Sequence, residues 1–355
     1  MNGVVLDSSE SVLLSEIREQ PAALERLLEH APEYEAVAAE ARRRGTSLVR
    51  MVGHGSSDNA ASFGVYAFGL LPGWTALRDS ISLSVYYGAE LDLAGSTIVA
   101  LSQSGATPDV VEYVQLARKR GAFTVGITND VNSPLAEAAE AVLPLAAGDE
   151  RAIAATKTYT TQLAALTLLA AYAAGAGAAY VDGIGAVAAL LAETLPVMER
   201  QLGAVATPLA FVGRMFVIGR GPEFATAREI SLKLLETCRV AAEPLTATDL
   251  AHGPVAALDA LFPVWAIAAE DESLPAVIEA TNRARAAGAT IVASGPAAAS
   301  IVDASFTLPV PRPPLPLLGP LLSIAPGQLL AWALAHAKGL DPDRPAGLDK
   351  ITFAA

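Results

Sequence analysis

A pattern of short apolar runs alternating with longer helical stretches occurs twice along this chain of 355 residues. Such alternation is typical of a parallel sheet whose strands are joined by helices. The predicted strands lie at 47–52, 96–102, 123–129 and 141–146 in the first set, and at 210–221, 262–268, 289–295 and 305–310 in the second. The repetition predicts two α/β domains in tandem.

The segments outside this repeat set the predicted boundaries. Ser11 to His30 has helical periodicity, and Pro21 is predicted to open a second helix after Gln20. We predict a helical arm at 1–40, a first domain at 41–180, a helical connection at 181–205, a second domain at 206–340 and a C-terminal tail at 341–355.

The composition narrows the possible partners. The formal net charge is −13, whereas nonspecific nucleic-acid binding needs a basic surface. We therefore expect no nucleic-acid partner, and a phosphorylated ligand would be held by local donors. Cys238 is the only cysteine, and the four histidines lack paired zinc spacing, which indicates a reducing cytoplasm and a site without a metal. The acidic first twenty residues lack the apolar core of a signal peptide.

One uncharged run, 163–181, is nearly long enough to span a membrane. Alanine and glycine supply most of it, Gly175 and Gly177 interrupt it, and it has neither an aromatic belt nor a basic flank. The run therefore predicts a buried helix, and we expect no membrane partner.

One Gly-x-Gly pair follows the first strand of each repeat, within Val52–Ser57 in the first and within Ile218–Glu223 in the second. A dinucleotide-binding fingerprint needs a further small residue where Asp58 and Phe224 stand. No Walker A pattern is present either. We therefore expect no nucleotide cofactor.

The loop Ser102–Thr107, with the sequence SQSGAT, lies between a predicted strand and an amphipathic helix. One interpretation is that its hydroxyl groups only cap that helix. The other is an anion site, because hydroxyls and backbone N–H groups gather at a helix N-terminus. Three hydroxyls, an amide and a glycine in six residues exceed what a cap requires.

Five further residues carry ionisable side chains that can support proton transfer. Glu236 follows Lys233 by three positions on a predicted helix, and Glu229 precedes Lys233 by four. That spacing alone also fits an ordinary surface ion-pair ladder. His252 lies in a predicted turn before Gly253 and Pro254, and Lys350 lies near the C-terminus. A turn histidine and a tail lysine are more often structural than catalytic.

The chain resembles the isomerase half of glucosamine-6-phosphate synthase and its sugar isomerase (SIS) domain relatives, including stand-alone type II glucosamine-6-phosphate deaminases. The resemblance spans nearly the whole chain. It rests on SEIREQP at 15–21, GSS at 55–57, SQSGAT at 102–107, ATKTYTTQL at 155–163, EISLKLLE at 229–236, HGP at 252–254 and LDKITF at 348–353. It implies two tandem SIS domains, each a flavodoxin-like three-layer sandwich, in a homodimer.

The resemblance also implies roles for individual residues. Glu236 matches the base that moves a proton between C1 and C2, with Lys233 and Glu229 supporting it. His252 matches a ring-opening acid/base that reaches the neighbouring subunit's site, and Lys350 matches a tail lysine that engages the sugar carbonyl. The positions that match phosphate and sugar contacts are Ser56, Ser57, Ser102, Gln103, Ser104, Thr107 and Ala155.

The expected activity is conversion of glucosamine 6-phosphate to fructose 6-phosphate and ammonia, without a cofactor, in the cytoplasm. Nothing here matches the glutaminase half of the synthase. Ala155 replaces a serine and Ala241 a histidine of the synthase, so the sugar pocket is expected to differ. A fructosamine-6-phosphate deglycase, a galactosamine-6-phosphate deaminase and a non-catalytic sugar-phosphate sensor remain alternatives, and the direction of flux stays open.

Overall fold

The computed structural model describes residues 11–348 and 350. Within them the chain forms ten strands and fourteen α-helices. The strands are β1 Leu48–Val52, β2 Thr75–Arg78, β3 Thr97–Ser102, β4 Phe123–Thr128, β5 Ala141–Pro144, β6 Arg214–Gly219, β7 Ala241–Thr246, β8 Val264–Ile267, β9 Ile291–Gly295 and β10 Phe306–Pro309. The helices are α1 Val12–Arg18, α2 Gln20–Leu28, α3 Ala31–Arg43, α4 Ser56–Leu70, α5 Ile81–Val85, α6 Pro108–Lys119, α7 Pro134–Ala138, α8 Lys157–Ala173, α9 Gly177–Ala206, α10 Glu223–Cys238, α11 Ala247–Leu250, α12 Leu274–Ala286, α13 Gly319–Ser323 and α14 Ala325–Ala337.

The strands form two five-stranded sheets with the same topology. The first sheet has the order β2-β1-β3-β4-β5, and the second has the order β7-β6-β8-β9-β10. All neighbouring strands in both sheets are parallel. This order is that of flavodoxin-like folds, and the predicted tandem α/β repeat is confirmed.

The central strands are apolar because helices cover both faces of each sheet. Every residue of β3 and β4 is buried, and so is every residue of β8 and β9. A parallel sheet covered on both faces favours continuous runs of valine, isoleucine and alanine over an alternating pattern. These are the runs from which the sequence predicts strands.

Two strands, β2 and β7, were not predicted from the sequence. Both are edge strands. In β2 no residue is fully buried, and in β7 only Leu245 is. Pro244 lies within β7, a residue that sheets tolerate at edges because it has no N–H to donate. Neither segment has an apolar run to mark it.

The chain divides into two compact units, each discontinuous in sequence. The first unit contains the first sheet and comprises, among the described residues, Ala22–Glu150, Lys157–Gly185 and Lys350. The second unit contains the second sheet and comprises 11–21, Arg151–Thr156 and Ala186–Leu348. The boundaries predicted from the sequence are continuous stretches. They therefore do not separate 11–21 and 151–156, which belong to the second unit, from the sequence around them.

The N-terminal helix belongs to the second unit because its polar side chains bond there. The buried Gln20 donates a hydrogen bond from Nε2 to Gln328 Oε1 at 2.8 Å. Glu16 is also buried, and its carboxylate accepts from the backbone N–H groups of Arg151 and Ala152. Buried polar groups of this kind are costly to leave unpaired, which fixes α1 and the segment at 151–156 together.

Two helical stretches in the described chain are long and apolar enough to cross a membrane by length and composition, Pro316–Ala337 and Gly177–Ala206. The apolar window of the first is entirely buried, as in the core of a folded unit, while 39% of the second is buried. The run predicted to be one buried helix at 163–181 is divided instead. Apart from Tyr172 it is buried through Ala173, and a turn with Gly175 at φ 75° then separates α8 from α9.

Candidate functional site

The residues singled out from the sequence fall into two sets, one in each unit. The first unit holds Ser56, Ser57, the loop 102–107 and Lys350. The second unit holds Ala155, Lys233, Glu236 and His252.

The crevice of the first sheet lies where its strand order reverses, between β1 and β3. Ligands of open parallel sheets bind at the carboxyl ends of the strands at such a point. A Cβ atom at Gly53 would lie 2.9 Å from Ser57 Cβ and 3.0 Å from the carbonyl oxygen of Leu101. The turn after β1 is therefore packed against the end of β3, and only glycine fits there.

The loop 102–107 forms a compact, internally bonded turn. Ser102 Oγ accepts from Gly105 N–H at 3.0 Å and lies 3.3 Å from Thr107 Oγ1. The carbonyl oxygens of Gln103 and Gly105 accept from the backbone N–H groups of Asn129 and Leu135. With these acceptors engaged, the loop is richer in donors, which suits an anion.

The capping interpretation of this loop is not supported by its hydrogen bonds. Thr107 is the N-cap residue of α6, but its side chain makes no capping hydrogen bond. Its hydroxyl lies beside Ser102 Oγ instead. The hydroxyl groups therefore organise the loop at a helix N-terminus, where the helix dipole favours negative charge.

Ser57 is oriented by a residue that the sequence analysis missed. Gln162 on α8 is buried, and its Nε2 donates to Ser57 Oγ at 2.9 Å. Because Ser57 Oγ accepts this bond, its own proton is available to donate to a ligand. The motif ATKTYTTQL contains Gln162, but a glutamine inside an apolar helix gives no signal of its partner.

A second pair joins the two loops of this crevice. His54 Nε2 lies 2.8 Å from Asp109 Oδ2, with His54 largely exposed and Asp109 mostly covered. His54 belongs to the turn after β1, and Asp109 lies in the first turn of α6. The pair holds the entrance of α6 to the turn that precedes Ser57.

Lys350 forms an ion pair with another residue that the sequence analysis missed. Its Nζ lies 3.3 Å from Glu150 Oε2, and the Glu150 side chain is fully buried. Glu150 also accepts from the N–H group of Thr158 at 3.0 Å and from its hydroxyl at 2.6 Å. The tail lysine is thus bound to a fixed carboxylate.

In the second unit, α10 carries a charged cluster that is buried. Lys233 Nζ lies 2.6 Å from Glu236 Oε2 and 3.3 Å from Glu229 Oε1. The side chains of Lys233 and Glu229 are 2% and 0% exposed, and that of Glu236 is 21% exposed. The surface ion-pair ladder that the spacing also fitted is therefore wrong, because Lys233 and Glu229 are buried.

The cluster is electrostatically asymmetric. Burial by itself would lower the pKa of Lys233, but the carboxylates of Glu229 and Glu236 outweigh it and raise that pKa above its usual range. Lys233 is therefore a permanent cation beside Glu236. Glu236 thus lies against a fixed positive charge.

A cleft of about 370 Å³ opens beside Glu236. Its walls are the last turns of α10 and the segment 340–348, including Arg239 and Arg344. This volume is within the range of small-molecule sites. Glu236 is thus the partly exposed member of the cluster and borders a space that can admit a ligand.

His252 lies apart from these groups in an exposed turn. It follows α11, and Gly253 at φ 139° begins a short 3₁₀ helix at Pro254–Ala257. Its backbone N–H bonds to Asp249, while its imidazole makes no hydrogen bond within residues 11–348 and 350. The predicted sharp turn is confirmed, and the ring is accessible.

The crevice of the second sheet has different chemistry at the equivalent place. Glu223 begins α10, and Ser57 lies in the first turn of α4; each follows an equivalent glycine, Gly219 or Gly53, by four residues. The buried carboxylate of Glu223 accepts from the hydroxyls of Thr226 and Ser323. Burial raises the pKa of Glu223 to about 7.

The two departures from the synthase pattern lie in the second unit. Ala155 precedes α8 in the segment 151–156 and is partly exposed, and Ala241 is the exposed first residue of β7. The structure thus gives positions for all the predicted site residues, while their roles stay predictions. In the described part of the chain, no three His, Cys, Asp or Glu side chains cluster as metal ligands.

Comparison with known proteins agrees with this architecture. The SIS domain family matches residues 47–172 and 209–337. Glutamine–fructose-6-phosphate aminotransferase (isomerizing) of Pyrococcus horikoshii is 34% identical over 348 residues, which is 96% of this chain and 57% of that protein. The chain therefore spans little more than half the length of this relative.

Two solved structures are similar over nearly the whole chain. A candidate phosphosugar isomerase from Silicibacter pomeroyi DSS-3 has a TM-score of 0.81 at 32% identity and covers 94% of this chain and 100% of that one. The C-terminal domain of glucosamine-fructose-6-phosphate aminotransferase from Francisella tularensis has a TM-score of 0.88 at 26% identity, covering 96% and 99%. The chain belongs to the SIS domain family and contains two SIS domains in tandem.

Proposed function

We propose that this chain is an amino-sugar-phosphate isomerase that converts glucosamine 6-phosphate to fructose 6-phosphate and ammonia. The similarity to the isomerase-bearing aminotransferase and to the candidate phosphosugar isomerase supports action on a phosphosugar. In the deaminating direction the reaction consumes water and releases ammonia. It therefore needs no nitrogen donor such as glutamine.

The observation that carries this proposal is the Lys233–Glu236 pair. Glu236 has the properties of a general base: a carboxylate held beside a permanent cation, partly exposed, on the border of a cleft. Deprotonation next to a carbonyl or imine carbon needs such a positioned base. Of the three charged side chains of this cluster, Glu236 is therefore the one that we assign as the base.

The loop 102–107 and Ser57 supply the means to hold a phosphate. Their hydroxyls and the N-termini of α6 and α4 provide donors without any lysine or arginine. This fits a chain with a net charge of −13, which would not attract a dianion by its overall field. Local donors at helix N-termini are sufficient for phosphate.

The proposed chemistry uses one carboxylate at two carbons. After ring opening, for which we assign His252 as acid and base, Glu236 removes the proton from C2 to give an enolamine and returns it to C1, which leaves a ketimine at C2. Water adds to that ketimine, and the C–N bond breaks to release ammonia and fructose 6-phosphate. Lys350 donates a hydrogen bond to the carbonyl or ring oxygen during these steps.

We further propose a cytoplasmic homodimer in which His252 acts in the neighbouring subunit's site. The exposed, unbonded imidazole of His252 within the described chain supports this arrangement. A residue contributed across a two-fold axis leaves each site incomplete in the monomer.

The decisive experiment measures ammonia and fructose 6-phosphate released from glucosamine 6-phosphate, galactosamine 6-phosphate and a fructosamine 6-phosphate in parallel. We expect release from glucosamine 6-phosphate and its loss in Glu236→Gln. Release only from the fructosamine ester would replace the proposal with a deglycase. Silence on all three, with thermal stabilisation by one of them, would instead establish a sugar-phosphate sensor.

A further inference from the structure

We propose that Glu150 is a positioning residue that holds the Lys350 ammonium. This inference rests on the proposed function, because it assigns the group that orients a lysine acting on the sugar. It starts from a contact within the first unit: Lys350 Nζ lies 3.3 Å from Glu150 Oε2.

Glu150 is built as a fixed acceptor. Its side chain is 0% exposed. Thr158 donates to it twice, from the backbone N–H to Oε1 at 3.0 Å and from the hydroxyl to Oε2 at 2.6 Å. The first turn of α8 therefore anchors both carboxylate oxygens.

The residue before it is fixed as well. Lys157 Nζ, on the same first turn of α8, donates to the carbonyl oxygen of Asp149 at 2.7 Å, and Lys157 is 1% exposed. Backbone and side chain of the Asp149–Glu150 pair are thus both bound to α8. An acceptor so restrained loses little entropy when a cation binds to it.

Lys350 differs from Glu150 in that it stays partly open. Its side chain is 27% exposed. A lysine side chain otherwise samples many rotamers, and ordering it costs conformational entropy. The buried carboxylate selects one position for the ammonium while part of the side chain remains accessible to a ligand.

A simpler role for Glu150 would be to cap α8. A cap stabilises the helix but has no particular effect on a lysine 200 positions away. The two roles therefore differ in what happens to Lys350 when the carboxylate is neutralised. Capping predicts a loss of stability alone, whereas positioning predicts a change in the state of the lysine.

The first test does not depend on any activity. Ligand-free protein is treated with an amine-acetylating reagent, and labelling of Lys350 is measured by mass spectrometry against exposed Lys119 as an internal standard. In Glu150→Gln we expect Lys350 to label at least about threefold faster, because its local opening becomes easier. Unchanged labelling of Lys350 would overturn the inference, whatever the protein's substrate is.

Matched variants separate the cause. Glu140→Gln makes the same change in the same unit, at a surface pair with Arg44, and should leave Lys350 labelling unchanged. Glu150→Asp keeps the charge but withdraws it by one methylene, so a rise smaller than that of Glu150→Gln is expected. If Glu150→Gln does not fold, the labelling of Lys350 is compared between Glu150→Asp and the wild type instead.

The second test joins the inference to turnover. Glu150→Gln should lower kcat by about 10-fold to 100-fold with little change in KM, since misplacing a reacting group by about 1 Å costs this much. In a Lys350→Met background the same change should have no further effect on kcat. Multiplying losses in the double variant would contradict positioning. If the wild-type protein is inactive, the proposed function is wrong. The labelling result then decides by itself whether Glu150 positions Lys350.

Discussion

Lys233 Nζ and Glu236 Oε2 lie 2.6 Å apart on α10, with the lysine buried and the glutamate partly exposed. This inequality separates two roles within one ion pair. The lysine is the buried cation of the pair, and the glutamate presents its own carboxyl group to the cleft.

Glu236→Gln removes the base while keeping the shape of the side chain. We expect kcat to fall by about 10²-fold to 10⁴-fold, the usual contribution of a general base, with KM changed little. Steady-state kinetics and calorimetric binding of the substrate would measure the two effects separately. Exposed Glu243→Gln on β7 is the control, and a wild-type rate in Glu236→Gln would remove Glu236 from the mechanism.

Mixing two inactive variants tests the placement of His252. If His252 serves the neighbouring subunit, a hybrid of Glu236→Gln and His252→Ala chains contains one intact site out of two. Random exchange of subunits should then restore about a quarter of the wild-type activity. No recovery, with exchange verified by native mass spectrometry, would place His252 in its own chain's site or outside the reaction.

Lys233→Met leaves two carboxylates of α10 without their cation. Breaking a buried ion pair on one side typically costs about 3–5 kcal/mol of the free energy of unfolding, and we expect a loss of this size by chemical denaturation. Arg283→Met breaks a pair of the same i,i+4 spacing that is exposed on α12 and should cost less than about 1 kcal/mol. Equal losses would mean that the burial of Lys233 does not matter.

Gly105→Ala tests the loop that we assign to phosphate. Gly105 has φ 63°, and a Cβ there would lie 2.0 Å from Ser133 Oγ. We expect sugar-phosphate affinity to fall at least about tenfold, because the loop must shift to relieve the collision. Gly73→Ala has a similar φ of 70° but open space around it, so it isolates the cost of the backbone angle. Equal affinities in the two variants would contradict the assignment.

Glu223 predicts a specific dependence of stability on pH. Burial raises its pKa from 4.5 to about 7, so the folded state holds this proton more tightly than the unfolded state does. Its contribution is fully present below about pH 4.5 and is lost as pH rises through about 7, a change of about 3 kcal/mol.

Glu223→Gln should remove that part of the dependence. We expect the midpoint of thermal unfolding of the wild type, relative to the variant, to be higher at pH 5 than at pH 8. Glu270→Gln changes an exposed glutamate that pairs with Arg312 and should show no such difference. Parallel midpoints of wild type and Glu223→Gln across this range would show that Glu223 does not titrate there.

The strands buried on both faces could be predicted from the sequence, because helices on both sides of a sheet require continuous apolar runs. The edge strands β2 and β7 could not, since most of their residues stay partly or fully exposed. Periodicity also failed on α10. It gives the spacing of Glu229 and Lys233 but not the depth at which packing places them.

The candidate site was predictable only where it coincides with recognisable motifs. The loop 102–107 and Glu236 lie in such motifs. Gln162 contacts Ser57, which is 105 residues away, and Glu150 contacts Lys350, which is 200 residues away. No local sequence pattern predicts contacts at that separation. Only the folded structure shows that these side chains meet.

The contrast between Ser57 and Glu223 bears on how many ligands one chain can hold. Both residues follow the first strand of their sheet, but one offers a hydroxyl and the other a buried carboxyl group. An anionic ester is repelled by a carboxylate at close range, and a protonated carboxyl group occupies the same place. On the proposed function, we therefore expect the duplicated fold to bind one phosphate ester per chain.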